Sequence, residues 1–153
     1  MSRAFVKEQD NGPAFLPDRP ISPHPNFVTE AGHAAIENAL HRFEAAHKAA
    51  IEKGDQQAIA ADVREIRYWK ARLASAQIVK PNADADHVQF GATITIQRDD
   101  GREQTFQIVG EDEADPSQGT ISHVSPLARA MMGRAVGDAF DLPGGEATVL
   151  MIR

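Results

Sequence analysis

The sequence predicts an α+β protein, in which an antiparallel α-helical hairpin precedes a C-terminal antiparallel β-sheet with one short helix. Two periodicities support this class. Apolar residues recur every three to four positions between residues 29 and 73, and at alternate positions from residue 88 onward. A proline-rich stretch precedes both patterns. We therefore divide the 153-residue chain into a proline-rich arm (1–27), a helical hairpin (28–80) and a sheet domain (81–153).

The arm carries five of the nine prolines of the chain. Proline has no amide hydrogen to donate and biases the residue before it toward extended backbone. We therefore expect the arm to be an extended segment laid on the surface. Its prolines are Pro13, Pro17, Pro20, Pro23 and Pro25.

The hairpin contains two stretches of similar helical stepping, separated by Gly54 and Asp55. Thr29 is expected to cap the first helix, Gly54 to end it, and Asp55 to cap the second. Such a pair predicts a short antiparallel coiled coil. The stripe is thin and rich in alanine, so the hairpin is expected to protrude or to rest on the sheet domain. Its predicted positions are Ile36, Leu40, Phe43, His47 and Ala50 in the first helix, and Ile59, Val63, Ile66, Lys70 and Leu73 in the second.

The sheet domain begins with alternating apolar residues from Val88 to Ile96, followed by a turn signal at 99–101 and a second run at 106–108. Residues 120–122 are predicted to form a strand that leads into a short helix. Ser125 is expected to cap that helix, with Pro126 at its first position and Gly133 at its end. A strand–turn–strand unit over 139–152 completes the predicted sheet.

The charge distribution excludes several classes of protein. The formal net charge of the chain is −6. Residues 81–153 have a net charge of −7, whereas residues 28–80 have a net charge of +1. This balance argues against strong direct binding to nucleic acid. No cysteine is present, so a disulfide framework and a thiolate metal site are excluded. No apolar run approaches the ~20 residues of a membrane span, and the N-terminus lacks the apolar core of a signal peptide. We expect a cytoplasmic monomer without membrane contact.

Several separated blocks of the sheet domain resemble the C-terminal domain of the GreA/GreB family of bacterial transcription elongation factors. The blocks are residues 108–115, 121–130, 133–138 and 143–145. The resemblance implies an FKBP-like fold for this domain, and RNA polymerase as the partner, bound at the rim of its secondary channel. Carried over residue by residue, it places Ile121, Ser122, Ser125, Pro126 and Arg129 in the region that meets the polymerase.

The hairpin resembles the same family more weakly, at residues 29–32, at the tip Gly54–Asp55 and at 73–79. In cleavage-active members the tip presents acidic residues that help to hold magnesium in the polymerase active site. Here both arms look shorter, by about 10 Å each, and Ala58 occupies the second carboxylate position. We therefore expect a regulator that binds polymerase without stimulating transcript cleavage. It would have no catalytic residue, cofactor or metal of its own.

Two alternative functions are weighed against this hypothesis. In the first, the protein is a cleavage factor in which Asp55 is a magnesium ligand, with Glu52 or Asp62 as its partner, although Asp55 is more simply explained as a helix cap. In the second, the FKBP-like fold is a peptidyl-prolyl isomerase. That activity needs an aromatic-lined apolar pocket, and the aromatic content of 6% argues against it.

Four further features have structural explanations that we prefer. The acidic loop 111–115 lacks the spacing of a calcium loop and is expected to be solvated and partly structural. The six histidines show no zinc-site spacing. One of the two adjacent aromatic residues, Tyr68 or Trp69, is expected to pack the hairpin base against the sheet domain rather than to bind a partner. A basic strip on the second helix is expected to be a solvated face, with contact to an acidic element of the polymerase or to RNA as the alternative. It consists of Arg64, Arg67, Lys70 and Arg72.

Overall fold

The computed structural model describes residues 16–153, so Pro13 of the predicted arm lies outside the described part. The described chain forms a helical hairpin followed by a curled mixed sheet, which confirms the predicted α+β class. None of its helices combines the length and apolar character needed to cross a membrane. In chain order the elements are β1 (Phe27–Val28), α1 (Glu30–Lys53), α2 (Gln56–Ser75), β2 (Gln77–Ile78), β3 (Thr93–Arg98), β4 (Glu103–Val109), a 3-10 turn (Pro116–Gln118), β5 (Thr120–Ser122), α3 (Pro126–Met131), β6 (Ala139–Leu142) and β7 (Gly145–Ile152).

The three predicted caps of the hairpin are confirmed. The Thr29 hydroxyl accepts a hydrogen bond from the Gly32 amide at 3.0 Å. Gly54 adopts the left-handed conformation (φ 66°) that ends α1, and its amide donates to the carbonyls of the last turn. The Asp55 carboxylate then accepts from the Ala58 amide at 3.1 Å and starts α2.

The hairpin has little core of its own. In α1 the buried side chains include Ile36 and Leu40, both in the half nearer the sheet domain. In α2 the buried residue is Arg72, and Lys70, predicted to lie on the apolar stripe, is exposed. Most helical stability in proteins comes from the packing of an apolar face. The stability of the hairpin therefore depends on the contacts at its base, near the sheet domain.

The sheet has the strand order β5-β4-β3-β7-β6. The predicted antiparallel pairing holds for all pairs except β4 and β5, which run parallel. The chain leaves β4 through the acidic loop 111–115 and the 3-10 turn. β5 therefore enters the sheet in the same direction as β4.

The strand predicted from Val88 begins only at Thr93. Val88 and Phe90 are buried, but the backbone turns at Gly91, whose φ is 85°. Gly91 also lies close to Pro81, because a Cβ added at position 91 would lie 3.1 Å from Pro81 Cδ. Burial alternates at Val88 and Phe90 because a turn packs against the core. The periodicity of the sequence does not distinguish such a turn from a strand.

The main core lies between the sheet and α3. Ile94, Ile96 and Ile108 from the strands are fully buried, and Ala128 and Met131 of α3 are their helical neighbours. The predicted cap of α3 is confirmed, because the Ser125 hydroxyl accepts from the Ala128 amide at 3.2 Å. α3 therefore presents its other face to the surface.

The described part of the arm has no regular secondary structure and lies along α2. Arg19 Nη1 lies 2.7 Å from Glu65 Oε2, and Asp18 pairs with Arg67 at 3.3 Å. The arm then enters β1, which pairs in parallel with β2 at the exit of the hairpin. Residues 16–25 are exposed or half-buried, so this part of the arm lies at the surface.

Candidate functional site

A buried ion-pair network joins the hairpin base to the sheet domain. The guanidinium of Arg72 lies at its centre, and Arg72 is only 1% exposed. Arg72 Nε donates to Asp112 Oδ2 at 2.5 Å, and its Nη2 donates to Asn26 Oδ1 at 2.7 Å. A second carboxylate oxygen, Glu111 Oε2, lies 3.8 Å from Nη2. The prediction that Arg72 belongs to a solvated basic strip is therefore wrong.

Tyr68 connects the arm to the same network. Its hydroxyl donates to Asp112 Oδ1, so Tyr68 is the member of the aromatic pair that packs the hairpin base against the sheet domain, as predicted for one of the two. Burial, followed by the bond to Asp112 and the charge of that carboxylate, raises the pKa of Tyr68 to about 12. The Arg19 guanidinium lies 3.7 Å above the Tyr68 ring, and the Trp69 ring packs edge-on at 5.0 Å.

Glu113 makes a second connection, to the start of α1. Its carboxylate accepts from the Thr29 amide at 3.1 Å, from the Thr29 hydroxyl at 2.5 Å and from the Gly110 amide at 3.2 Å. The acidic loop is thus a structural bridge more than the solvated segment expected. Because it holds both helices of the hairpin, it fixes the hairpin relative to the sheet.

The tip of the hairpin presents Gly54 and Asp55, and the Asp55 carboxylate is engaged as the cap of α2. Glu52 and Asp62 are the nearest acidic residues along the chain. Within residues 16–153, no three His, Asp or Glu side chains converge at a distance suitable for a metal ion.

The residues predicted to meet a partner lie together around β5 and the start of α3, in three different environments. Ile121 is 6% exposed and packs in the core. The hydroxyls of Ser122 and Ser125 accept from the Val124 and Ala128 amides, both at 3.2 Å. Pro126 and Arg129 are exposed. A partner at this surface would therefore meet the side chains of Pro126 and Arg129, while the other three shape the loop.

An apolar pocket of about 430 Å³ opens beside this surface. Its lining includes Phe27, Phe90 and His123, whose rings contact each other at centroid distances of 5.4–6.1 Å. His123 Nε2 is buried and has no hydrogen-bond partner among the described residues. Burial, partly opposed by the charge of Glu111, lowers the pKa of His123.

The sequence did not predict this pocket. The low aromatic content argued against an aromatic-lined cavity, yet two phenylalanines and one histidine are sufficient to line one. Phe27 belongs to β1, which precedes the hairpin by sequence and returns to the sheet domain through its pairing with β2. The available signal was the isolated aromatic residue at the end of a proline-rich arm.

The chain is similar to several known proteins. The family model described as "Transcription elongation factor, GreA/GreB, C-term" matches residues 82–153. The transcription elongation factor GreB of Neisseria meningitidis serogroup B is 36% identical over 133 residues, which cover 74% of this chain and 82% of that protein. The transcription elongation factor GreA of Desulfovibrio desulfuricans is 34% identical over 147 residues, covering 82% and 90%. The crystal structure of GreA factor homolog 1 (Gfh1) of Thermus thermophilus matches with a TM-score of 0.40 and 22% identity, over 85% of this chain and 99% of that one.

Proposed function

The chain belongs to the GreA/GreB family of transcription elongation factors, and from this premise we propose that it regulates elongation by binding RNA polymerase near its secondary channel without stimulating transcript cleavage. In this proposal the sheet domain docks through the surface around Pro126 and Arg129. The hairpin points toward the channel. The protein acts by occupying the channel entrance and by competing with longer channel-binding factors, and it supplies no catalytic group.

The observation that carries the proposal is the geometry of the tip. Asp55 uses its carboxylate to cap α2 through the Ala58 amide. Position 58 itself carries a methyl side chain, which offers no oxygen to a magnesium ion, although magnesium prefers several oxygen ligands at about 2.0–2.1 Å. A single capping carboxylate is a poor substitute for an acidic pair.

Neither neighbouring acid completes the site. Glu52 lies in the last turn of α1, where side chains tilt toward the helix N-terminus and therefore away from the tip. Asp62 follows Asp55 by seven residues, a rise of about 10 Å along α2. The direction of Glu52 and the distance of Asp62 therefore oppose an ion shared with Asp55 at the tip.

The junction supports action by occupancy. The Arg72–Asp112 pair and the Glu113 bridge hold the base of the hairpin on the sheet domain. A hairpin held at a fixed angle reaches the same depth each time the domain docks. If both arms are shorter than those of cleavage factors, that depth stops short of the polymerase active site.

The test uses a backtracked elongation complex with labelled RNA. We expect the protein to bind the complex and leave the RNA at full length. We also expect it to slow the shortening stimulated by a cleavage-active family member, in proportion to its concentration. Asp55→Asn is the matched variant, because asparagine keeps the cap while removing the charge. Shortening by the wild type that Asp55→Asn abolishes would establish the cleavage alternative instead.

A further inference from the structure

Two side chains of α2 reach the sheet domain at the base of the hairpin. The Tyr68 hydroxyl and the Arg72 guanidinium each donate to the carboxylate of Asp112. Tyr68 and Arg72 are one helical turn apart, so they lie on the same face of α2. A long side chain that crosses to another domain keeps its direction only where packing and hydrogen bonds fix its rotamer. The direction of the hairpin therefore depends on what holds Tyr68 and Arg72.

The arm covers the ring of Tyr68. The Arg19 guanidinium lies 3.7 Å from the centroid of that ring, which is a cation–π contact. Arg19 is itself held, because its Nη1 donates to Glu65 Oε2 at 2.7 Å. The side chains of Arg19 and Glu65 are 32% and 24% exposed, so this pair is partly shielded from water. A Tyr68 side chain that left Asp112 for another rotamer would lose its contact with Arg19.

The arm also holds Arg72, through Asn26, which is 4% exposed. Asn26 Oδ1 accepts from Arg72 Nη2 at 2.7 Å, on the guanidinium that binds Asp112. Asn26 Nδ2 donates to the Arg72 carbonyl at 2.8 Å and to the Ser75 hydroxyl at 3.1 Å. That carbonyl is among the last four of α2, which a helix leaves without an amide partner. Asn26 therefore fixes both the backbone and the guanidinium of Arg72.

The sequence between these two contacts is rich in proline. Three of the six residues between Arg19 and Asn26 are Pro20, Pro23 and Pro25. A proline ring fixes φ and so reduces the conformational entropy that a segment loses when it becomes ordered. Proline also has no amide hydrogen, which leaves fewer backbone donors to satisfy in a segment without regular secondary structure. This composition favours a segment that is held by its two ends.

We propose that residues 19–26 act as a strap that sets the direction of the hairpin relative to the sheet domain, with Arg19 and Asn26 as its positioning residues. Arg19 acts through Tyr68, and Asn26 acts through Arg72. Each holds one of the two α2 side chains that bind the acidic loop. Loss of either contact loosens the junction and leaves the helices and the sheet folded. The inference goes beyond the proposed function and concerns the free protein.

Distances between two spin labels in the free, full-length protein test the strap. The chain has no cysteine, so Lys53→Cys near the tip and Glu103→Cys in β4 place one nitroxide on each domain, both at exposed positions. We expect a narrow distribution of distances between the nitroxides. Arg19→Ala should widen it at least about twofold, because packing no longer fixes the Tyr68 rotamer. Asn26→Ala should widen it as well.

Asp18→Ala is the matched control. It removes another ion pair between the arm and α2, with Arg67 at 3.3 Å, and leaves Arg19 and Asn26 in place. Both partners of that pair are exposed, so it should contribute little. The Asp18→Ala distribution should therefore match that of the wild type. Circular dichroism verifies that each variant is folded, and Arg19→Ala decides the question if Asn26→Ala unfolds.

Three results would overturn the strap. The first is a wild-type distribution that is already broad, and the second is an unchanged width in either folded variant, Arg19→Ala or Asn26→Ala. The third is equal widening in Asp18→Ala, since any lost charge in the arm would then be sufficient. Each of these results leaves the proposed function standing, because the assay with labelled RNA measures binding to the polymerase separately.

Discussion

Removing the Asp112 carboxylate should destabilise the whole molecule. Asp112→Ala would leave the Arg72 guanidinium, which is 1% exposed, without its partner at 2.5 Å. Breaking a buried ion pair from one side costs about 3–5 kcal/mol, because the remaining charge stays out of water. Glu111, whose carboxylate oxygen lies 3.8 Å from Arg72 Nη2, offsets part of that loss. We therefore expect a decrease of about 3 kcal/mol in the free energy of unfolding.

The measurement is denaturant and thermal unfolding followed by far-UV circular dichroism. For a chain of this length, about 3 kcal/mol corresponds to a fall of about 6–12 °C in the melting temperature. Asp84→Ala is the control, since Asp84 is an exposed acid of the same domain. It removes the same charge and should change the melting temperature by less than about 2 °C.

The single tyrosine provides a second, local measurement. The pKa of Tyr68 is about 12, raised first by burial and then by Asp112. In Asp112→Ala it should fall toward the ordinary value of 10 without reaching it, as followed by tyrosinate absorbance. Equal melting temperatures for Asp112→Ala and the wild type, with an unchanged Tyr68 titration, would refute the assignment of the junction to this pair.

Two further predictions concern the same region. Gly32→Ala should lower the free energy of unfolding by about 1–3 kcal/mol, because the new Cβ would displace the Glu113 carboxylate from its bonds to Thr29. This loss is expected although alanine is the better helix former. Asn38→Ala, on the exposed face of α1, is the control and should leave the melting temperature unchanged or raise it. Burial lowers the pKa of His123 below its usual 6.5, so its contribution to stability is complete above pH 6.5 and is lost as the pH falls through the folded-state value. His123→Gln should flatten the decline in melting temperature as the pH falls below 6.5, and an unchanged slope would contradict the role of burial.

Local signals in the sequence were sufficient to predict where the helices begin and end. Thr29, Gly54, Asp55 and Ser125 begin or end helices as predicted, because capping depends on chemistry within three or four residues. The parallel β4–β5 pair was not predicted, because its direction depends on the path of the intervening loop. Long-range geometry of this kind leaves no periodicity in the sequence.

The site was less predictable for the same reason. Arg72 has the sequence spacing of a solvated strip, and only the packing of the acidic loop against α2 makes it a buried residue. The pocket required Phe27 to return to Phe90 across more than sixty positions in the chain. The tip, in contrast, was predictable down to its capping bond, since Asp55 and Ala58 are three residues apart.

The placement of charge bears directly on how the protein can dock. Taken as a total, −7 on the sheet domain suggests that this domain repels an acidic partner. In the fold, however, Glu111, Asp112 and Glu113 face inward to the hairpin base, where they bind Arg72 and the start of α1. Much of the acidic excess beside the hairpin is therefore complementary to the chain itself. Local charge rather than net charge therefore decides which surface of this domain can accept a charged partner.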